Sequence, residues 1–418
     1  MKKTLVALAA LSAVSAFAQV TLSGRASMDV STYSAMDAVD STKNLAGRTR
    51  VADTSSRIIF AANEDLGAGL KAGVYCETGI NIDNGSSTGQ ADSNNANTTA
   101  WCSREGRAYF GNNDVEVRLG RQNVWWTQGA LNEVGSTYLG SDSLTNLING
   151  GVGVYTVRGE NMIKLTAGAG TGAFAGSEVY TAPMGVSGNA GTTNSSGEAA
   201  QAGAANKAKY GGFKLLYTQG AVVGMVDYQY STNSAAVTAA AANTVAGGVG
   251  GVRGANSFDR KATKVGLGYK YAQDSMVTAQ YWQKSRTDVT TPGTALVTPW
   301  ALAVNTATTG DAKDSGYGIV VKHALGGGLT AHAQYGKTRN LKDGSGVEQA
   351  DTSAQAYTLG LTKAVSKRTH FYGAYHQISN ANKAAFDMTG GNYSSAGSAG
   401  VGLGSTVKMF ALGMIHNF

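Results

Sequence analysis

The chain has 418 residues, of which 57 are glycine, 3 are proline and 2 are cysteine. Its formal net charge of +7 is too small and too dispersed to indicate a nucleic-acid-binding protein. Few prolines interrupt strand pairing, and after residue 18 no apolar stretch is long enough to cross a bilayer as a helix. A membrane form of the protein is therefore expected to be a β-barrel.

The first eighteen residues have the pattern of a Sec signal peptide. Lys2 and Lys3 give the positive start, residues 4–17 form an apolar run, and residues 16–18 supply a small-x-small cleavage pattern. A membrane anchor is the alternative, but the run is shorter than the roughly 20 residues that a spanning helix needs. We expect an exported protein whose mature barrel domain comprises residues 19–418.

The first half of the mature chain contains nine predicted strands at regular spacing. They are residues 20–33, 55–62, 70–80, 101–111, 115–121, 151–158, 162–170, 208–218 and 221–231. Two segments rich in small residues, 185–206 and 231–256, are predicted to be outer loops because strands of the same meander resume on both sides.

The second half repeats one unit of strand, short turn, strand and long polar loop. Its predicted strands are residues 261–271, 276–286, 314–323, 329–339, 353–363, 369–379 and 406–418. Apolar and polar side chains alternate along them, which fits a soluble sandwich as well as a membrane barrel. The strict alternation of short and long connections favours the barrel. The prediction is an all-β, 16-stranded antiparallel transmembrane β-barrel.

Cys76 and Cys102 are 26 positions apart in a chain that is predicted to be exported. An oxidising compartment permits a disulfide between them, bracing the base of the second outer loop. If the flanking strands pair antiparallel so that the numbers of paired residues add up to about 180, the two cysteines lie almost opposite each other. This pairing does not decide whether both side chains point to the same face of the sheet. Two unrelated thiols are the alternative, and no CxxC motif or nearby histidine indicates a metal site.

Several motifs resemble the general porins of β-proteobacteria. They are V-T-L-S-G at residues 20–24, E-D-L-G-A-G-L-K-A at 64–72, R-A-Y-F-G at 107–111 and V-E-V-R-L-G-R-Q at 115–122. The resemblance implies a 16-stranded barrel, usually a homotrimer, with the third long loop, residues 122–150, folded into the lumen. It also implies that Phe418, the terminal aromatic, is the signal for the outer-membrane assembly machinery.

The resemblance further implies arginines on the wall that face acidic groups on the third loop. Arg57 matches the first wall position, and Arg104 or Arg107 the second. The third position, at the start of the sixth strand, holds Gly150 and Gly151 instead. The remaining candidates for the pore constriction are strand arginines and loop carboxylates: Arg118, Arg121, Glu133 and Asp142. Six lysines are assigned either to a basic path along the wall or to the membrane edges: Lys264, Lys270, Lys284, Lys322, Lys337 and Lys363.

The expected function is passive diffusion of small hydrophilic solutes and ions across the outer membrane of a Gram-negative bacterium, with a mild anion preference. Expected partners are two further copies of the chain, outer-membrane lipid, lipopolysaccharide and the assembly machinery. No cofactor, metal or catalysis is expected, because the histidines show no HExxH or triad-like spacing. The alternatives are a substrate-specific channel, for which Trp125, Trp126 and Tyr138 give some support, and an outer-membrane barrel enzyme.

Overall fold

The structure is a computed structural model that describes residues 19–83, 101–124, 143–149, 158–182, 209–232, 258–288, 294–297, 302–305, 311–388 and 401–418. Its strands are β1 (Gln19–Met36), β2 (Leu45–Asp53), β3 (Arg57–Gly67), β4 (Leu70–Gly79), β5 (Glu105–Gly111), β6 (Val115–Asn123), β7 (Arg158–Ala167), β8 (Glu178–Ala182), β9 (Lys209–Gln219), β10 (Val222–Thr232), β11 (Phe258–Ala272), β12 (Ser275–Asp288), β13 (Thr294–Val297), β14 (Leu302–Asn305), β15 (Ala312–Gly326), β16 (Leu329–Thr338), β17 (Ala354–Ala364), β18 (Thr369–Asn380) and β19 (Thr406–Asn417). Helix α1 is Ser143–Asn149, and two 3-10 helices are Ser41–Lys43 and Ala169–Phe174. Over these ranges, no helix combines the length and apolar character needed to cross a bilayer.

One antiparallel sheet closes on itself, because β1 pairs with β19 on one side and with β2 and β3 on the other. The segments β2 and β3 run along the same neighbour and are interrupted at residues 54–56, so they form one barrel strand. The strands β13 and β14 form a separate hairpin between β12 and β15. The described part of the sheet therefore has sixteen barrel strands, and the predicted all-β, 16-stranded antiparallel barrel is confirmed.

Large apolar side chains point away from the barrel and polar ones point inward. On the outer face Leu22 is 70% exposed and Leu267 is 68% exposed. On the inner face Lys264 and His376 are buried. In a soluble sandwich the apolar face would be the core, so this exposure is what a barrel surrounded by lipid requires.

The predicted break between the sixth and seventh strands is wrong. The structure has one strand, β7, across residues 159–161, and the next strand, β8, follows residues 168–177, which contain a 3-10 helix. Residues 151–157 of the predicted sixth strand lie outside the described residues. The polar segment around Asn161 was interpreted as a turn, but Asn161 has a φ of 52° inside β7, beside a register shift against β6. Residues with positive φ serve β-bulges as well as turns, and local sequence does not distinguish the two uses.

The predicted disulfide between Cys76 and Cys102 is confirmed, with 4.6 Å between the Cα atoms. The register is close to the predicted one, because the numbers of paired residues add up to 182 where a value near 180 was predicted. Cys102 is not itself a strand residue, since Cys76 lies opposite Gly106 and β5 begins only at Glu105. The preceding turn brings Cys102 back over Gly106, where an added Cβ would be 2.9 Å from the Cys102 Cβ. Cys76 also lies opposite Phe60, which is exposed on the outer face, so the bridge lies on the outside of the barrel.

The last residue of the chain is part of the barrel closure. The backbone N–H of Gly24 donates to the Phe418 carbonyl over 2.9 Å, and the Phe418 N–H donates to the Gly24 carbonyl over 3.1 Å. A Cβ at Gly24 would be 2.5 Å from Cζ of the Phe418 ring. The ring therefore lies directly over the glycine in the first strand.

Candidate functional site

Arg57 and Arg104 share one carboxylate on the inner face. The Glu77 Oε1 atom is 3.3 Å from Nη1 of Arg57 and 2.5 Å from Nε of Arg104. Arg57 and Glu77 come from the adjacent strands β3 and β4, and Arg104 immediately precedes β5. All three side chains are largely buried, so the two guanidinium groups are held against the wall by charge-assisted hydrogen bonds.

Arg107 is linked to the same group through Tyr75. Its guanidinium lies 4.0 Å from the centre of the Tyr75 ring, and the Tyr75 hydroxyl donates to Glu77 Oε2 over 2.8 Å. Arg107 also forms an ion pair with Glu105 on its own strand. The structure thus brings Arg57, Arg104 and Arg107 together, although the resemblance offered Arg104 and Arg107 as alternatives.

Arg118 and Arg121 lie in different surroundings. Arg118 is opposite Tyr109 on the inner face and pairs with Glu116 of the same strand. Arg121 follows the irregularity at Gly120, lies opposite Gly106, and donates from Nε to the Ser103 carbonyl over 2.9 Å. The structure therefore places Arg121 beside the disulfide-bonded turn.

Lys164 and Lys214 form a second cluster, which sequence reasoning missed. Glu178 accepts from Lys164 Nζ over 2.5 Å and from Lys214 Nζ over 2.9 Å. Lys164 also donates to the Asn123 carbonyl over 2.6 Å, and the Asn123 amide donates to Glu105. Asn123 thus connects the lysine cluster to the arginine cluster. The three charged residues come from β7, β8 and β9, so only the strand register reveals their proximity.

Arg158 is another residue that sequence reasoning missed. It begins β7, which is the sixth barrel strand, and it is 6% exposed. It pairs in register with Asn123, and its positive charge interacts with Glu77. The third wall position considered from the sequence, Gly150 and Gly151, lies outside the described residues. Arg158 is the first described residue of the sixth barrel strand, and it adds an arginine that the sequence interpretation did not consider.

These charged side chains form one continuous group, which we call the basic wall. Its seven basic and four acidic members are Arg57, Arg104, Arg107, Arg118, Arg158, Lys164 and Lys214, with Glu77, Glu105, Glu116 and Glu178. The wall carries an excess of three positive charges. Its acidic partners lie on strands, whereas the sequence interpretation placed them on the third loop.

Helix α1 belongs to the third long connection, between β6 and β7, and contacts the inner faces of β15 to β18. Leu144, Leu147 and Ile148 on one face of the helix are buried. The loop candidates Glu133 and Asp142 lie outside the described residues, as do Trp125, Trp126 and Tyr138. Within the described ranges, no three histidine, cysteine or carboxylate side chains are placed to hold a metal ion.

A family model described as Gram-negative porin matches residues 4–383 of the chain. The anion-selective porin from Comamonas acidovorans has a similar structure, with a TM-score of 0.64, 20% identity and a match covering 96% of this chain and 100% of that chain. A loop L8 deletion mutant of OmpT, an outer membrane protein of Vibrio cholerae, has a TM-score of 0.59 and 11% identity, and the match covers 96% and 99% of the two chains. The trimer form of in-vitro folded OmpT from Vibrio cholerae has a TM-score of 0.56 and 10% identity, and the match covers 96% of this chain and 100% of that chain. The comparison with curated proteins found no match.

Proposed function

Because the chain belongs to the Gram-negative porin family and is therefore a diffusion channel of the outer membrane, we propose that it passes small hydrophilic solutes and ions by size and charge, with a mild anion preference. The channel carries out no catalytic step, since selection needs only a water-filled path of suitable width and charge. The channel then admits any hydrophilic solute that is small enough to fit and is not specific for one ligand.

The excess of three positive charges on the basic wall is the observation that carries the anion preference. Positive potential on a low-dielectric wall raises the local concentration of anions and lowers that of cations. Every glutamate of the wall contacts at least one of its cations, so much of the field is cancelled at short range. A mild preference follows. The anion-selective Comamonas porin, at 20% identity, supports this only by analogy.

The narrowest part of the pore is proposed to lie between the basic wall and the third long loop, residues 122–150. The position of α1 against the inner face of the opposite strands supports this arrangement. Arg57, Arg104, Arg107 and Arg118 then act on one side of the passage, with Glu133 and Asp142 of the loop facing them. Arg121 is not included, because it lies opposite Gly106, beside the disulfide-bonded turn.

The proposal extends to maturation and assembly. Residues 1–18 are removed on export, the mature chain begins at Gln19, and three copies assemble among lipid and lipopolysaccharide. The closure of Phe418 on Gly24 supports its proposed role as the assembly signal, because this contact completes the barrel.

Reconstitution of the purified protein in planar bilayers tests the function. We expect stepwise conductance increments and, across a salt gradient, a zero-current potential of the sign that anion preference requires. Swelling of loaded liposomes should depend on the size of the sugar and not on its identity. Selective swelling with one sugar would favour a substrate-specific channel, and a cation-selective potential would refute the proposed role of the basic wall.

A further inference from the structure

The C-terminal end of α1 is held by a buried lysine of the barrel. Lys284 of β12 donates from Nζ to the Ile148 carbonyl over 2.8 Å, and the same ammonium group is 3.4 Å from Oδ1 of Asp314 on β15. The side chain of Lys284 is 0% exposed. The last carbonyls of a helix have no partner within the helix, and Lys284 satisfies one of them. Asp314 compensates the buried charge.

The N-terminal end of α1 is attached to a different strand. The Ser143 hydroxyl is 3.0 Å from the Tyr357 carbonyl and 2.8 Å from the Thr358 hydroxyl. Thr358 in turn lies 2.8 Å from Nδ1 of His376 on β18. The two ends of the short helix are thus bound to different strands on the inner face of the barrel, the C-terminal end to β12 and the N-terminal end to β17.

Between these attachments, Leu144 packs on two glycines. A Cβ added at Gly336 would be 2.3 Å from Leu144 Cδ1, and one added at Gly318 would be 2.9 Å from the same atom. Both glycines face inward, on the neighbouring strands β15 and β16, and lie opposite each other in register. Because these two positions have no side chains, α1 lies directly on the backbone of β15 and β16.

From these contacts we infer that Lys284 and Asp314 are positioning residues that fix α1 on the inner face of strands β12 to β18. Gly318 and Gly336 set the depth of α1 in the barrel and thereby the free width of the pore. The inference rests on the proposed function, in which the third loop narrows the passage. It also gives Lys284 a role other than the basic path considered from the sequence. Its charge is enclosed and neutralised by Asp314, so its effect on permeation is through the position of the helix.

The first test separates position from charge. The double variant Lys284→Met, Asp314→Asn keeps the net charge of the barrel but removes the hydrogen bond to Ile148. We expect noisier single-channel currents with additional conductance levels, entry of larger sugars in liposome swelling, and a zero-current potential like that of the wild type. Lys261→Met, which changes an exposed lysine of β11, is the control and should leave current noise and size limit unchanged.

The second test changes the depth of the helix. Gly336→Ala forces Leu144 away from the wall, so we expect a lower single-channel conductance and a smaller size limit. Leu144→Ala added to Gly336→Ala should restore conductance, because the colliding Cδ1 atom is removed. Gly224→Ala is the matched control, since a Cβ there would have no neighbour closer than 3.8 Å.

Heat-modifiable migration on gels identifies variants that fold. The inference would be overturned if the folded double variant had the same current noise and the same solute size limit as the wild type. It would also be overturned if Gly336→Ala left the single-channel conductance unchanged. If the double variant does not fold, the inference is tested by comparing the single-channel conductance of Gly336→Ala with that of Gly336→Ala combined with Leu144→Ala. Absence of conductance in the wild type would instead refute the proposed function.

Discussion

Replacing Glu77 by glutamine changes the charge of the basic wall with little change of shape. Glu77 contacts Arg57 and Arg104 through one oxygen, and the glutamine amide oxygen can still accept from either guanidinium. The excess positive charge of the wall rises from three to four. Arg57→Glu changes it in the other direction, from three to one. The two variants are therefore expected to shift ion selectivity in opposite directions, the second by about twice as much.

The size of the shift follows from Coulomb's law with screening. A unit charge about 8 Å from a permeating ion contributes ~0.5 kcal/mol in water, and about 0.4 kcal/mol of this remains at ~0.01 M salt. An anion gains this energy and a cation loses it, so the anion-to-cation permeability ratio changes about fourfold per unit charge. At ~1 M salt the contribution falls below ~0.1 kcal/mol and the ratio changes by only about 10%.

The assay is the zero-current potential across a KCl gradient, measured at low and at high mean salt concentration. Glu77→Gln should move the potential toward stronger anion preference at low salt and have little effect at high salt. Glu348→Gln is the control, because it removes one negative charge from an exposed position in the connection between β16 and β17. A shift toward cations in Glu77→Gln, or no shift in Arg57→Glu, would show that the basic wall does not govern selectivity.

Three further outcomes are expected. Replacing Cys76 and Cys102 by serine should lower the free energy of unfolding by up to about 3–4 kcal/mol, from the closure entropy of the bridged segment; an unchanged denaturation midpoint would contradict this. Phe418→Ala should reduce the yield of folded barrel in the outer membrane, and Gly24→Val should do the same because the new side chain meets the terminal ring. Normal yields would show that the ring over Gly24 is not needed. Mass spectrometry of the purified protein should give a chain that begins at Gln19, and an intact signal sequence would refute the export prediction.

The sequence was sufficient for the strands whose side chains alternate and whose turns are short. For β11 and β12 it predicted residues 261–271 and 276–286, against the observed Phe258–Ala272 and Ser275–Asp288. The period of two is dictated by the two faces of a strand, one toward lipid and one toward water, so it is written into each strand locally. The connection between them is equally local, with Asp274 at a φ of 54°.

The charge pairs could not be predicted in the same way, because they depend on register between strands. Glu77 and Arg104 are 27 positions apart and meet only because the chain between them returns to the same edge of β4. Glu178 meets Lys164 and Lys214 across three strands, and the strand that carries Glu178 was not predicted from the sequence. A β-bulge or a shift of one residue changes such pairings without altering the alternation that identifies the strands.

Arg158 shows how a charge missed in the sequence reaches the functional interpretation. The sequence offered no arginine at the third wall position, Gly150 and Gly151, and these residues lie outside the described ranges. Arg158 is the first described residue of β7, and its charge interacts with the same Glu77 that binds Arg57 and Arg104. One carboxylate therefore faces three guanidinium groups, and this part of the wall alone has an excess of two positive charges. We therefore expect the carboxylates placed among the cations of the basic wall to limit the anion preference.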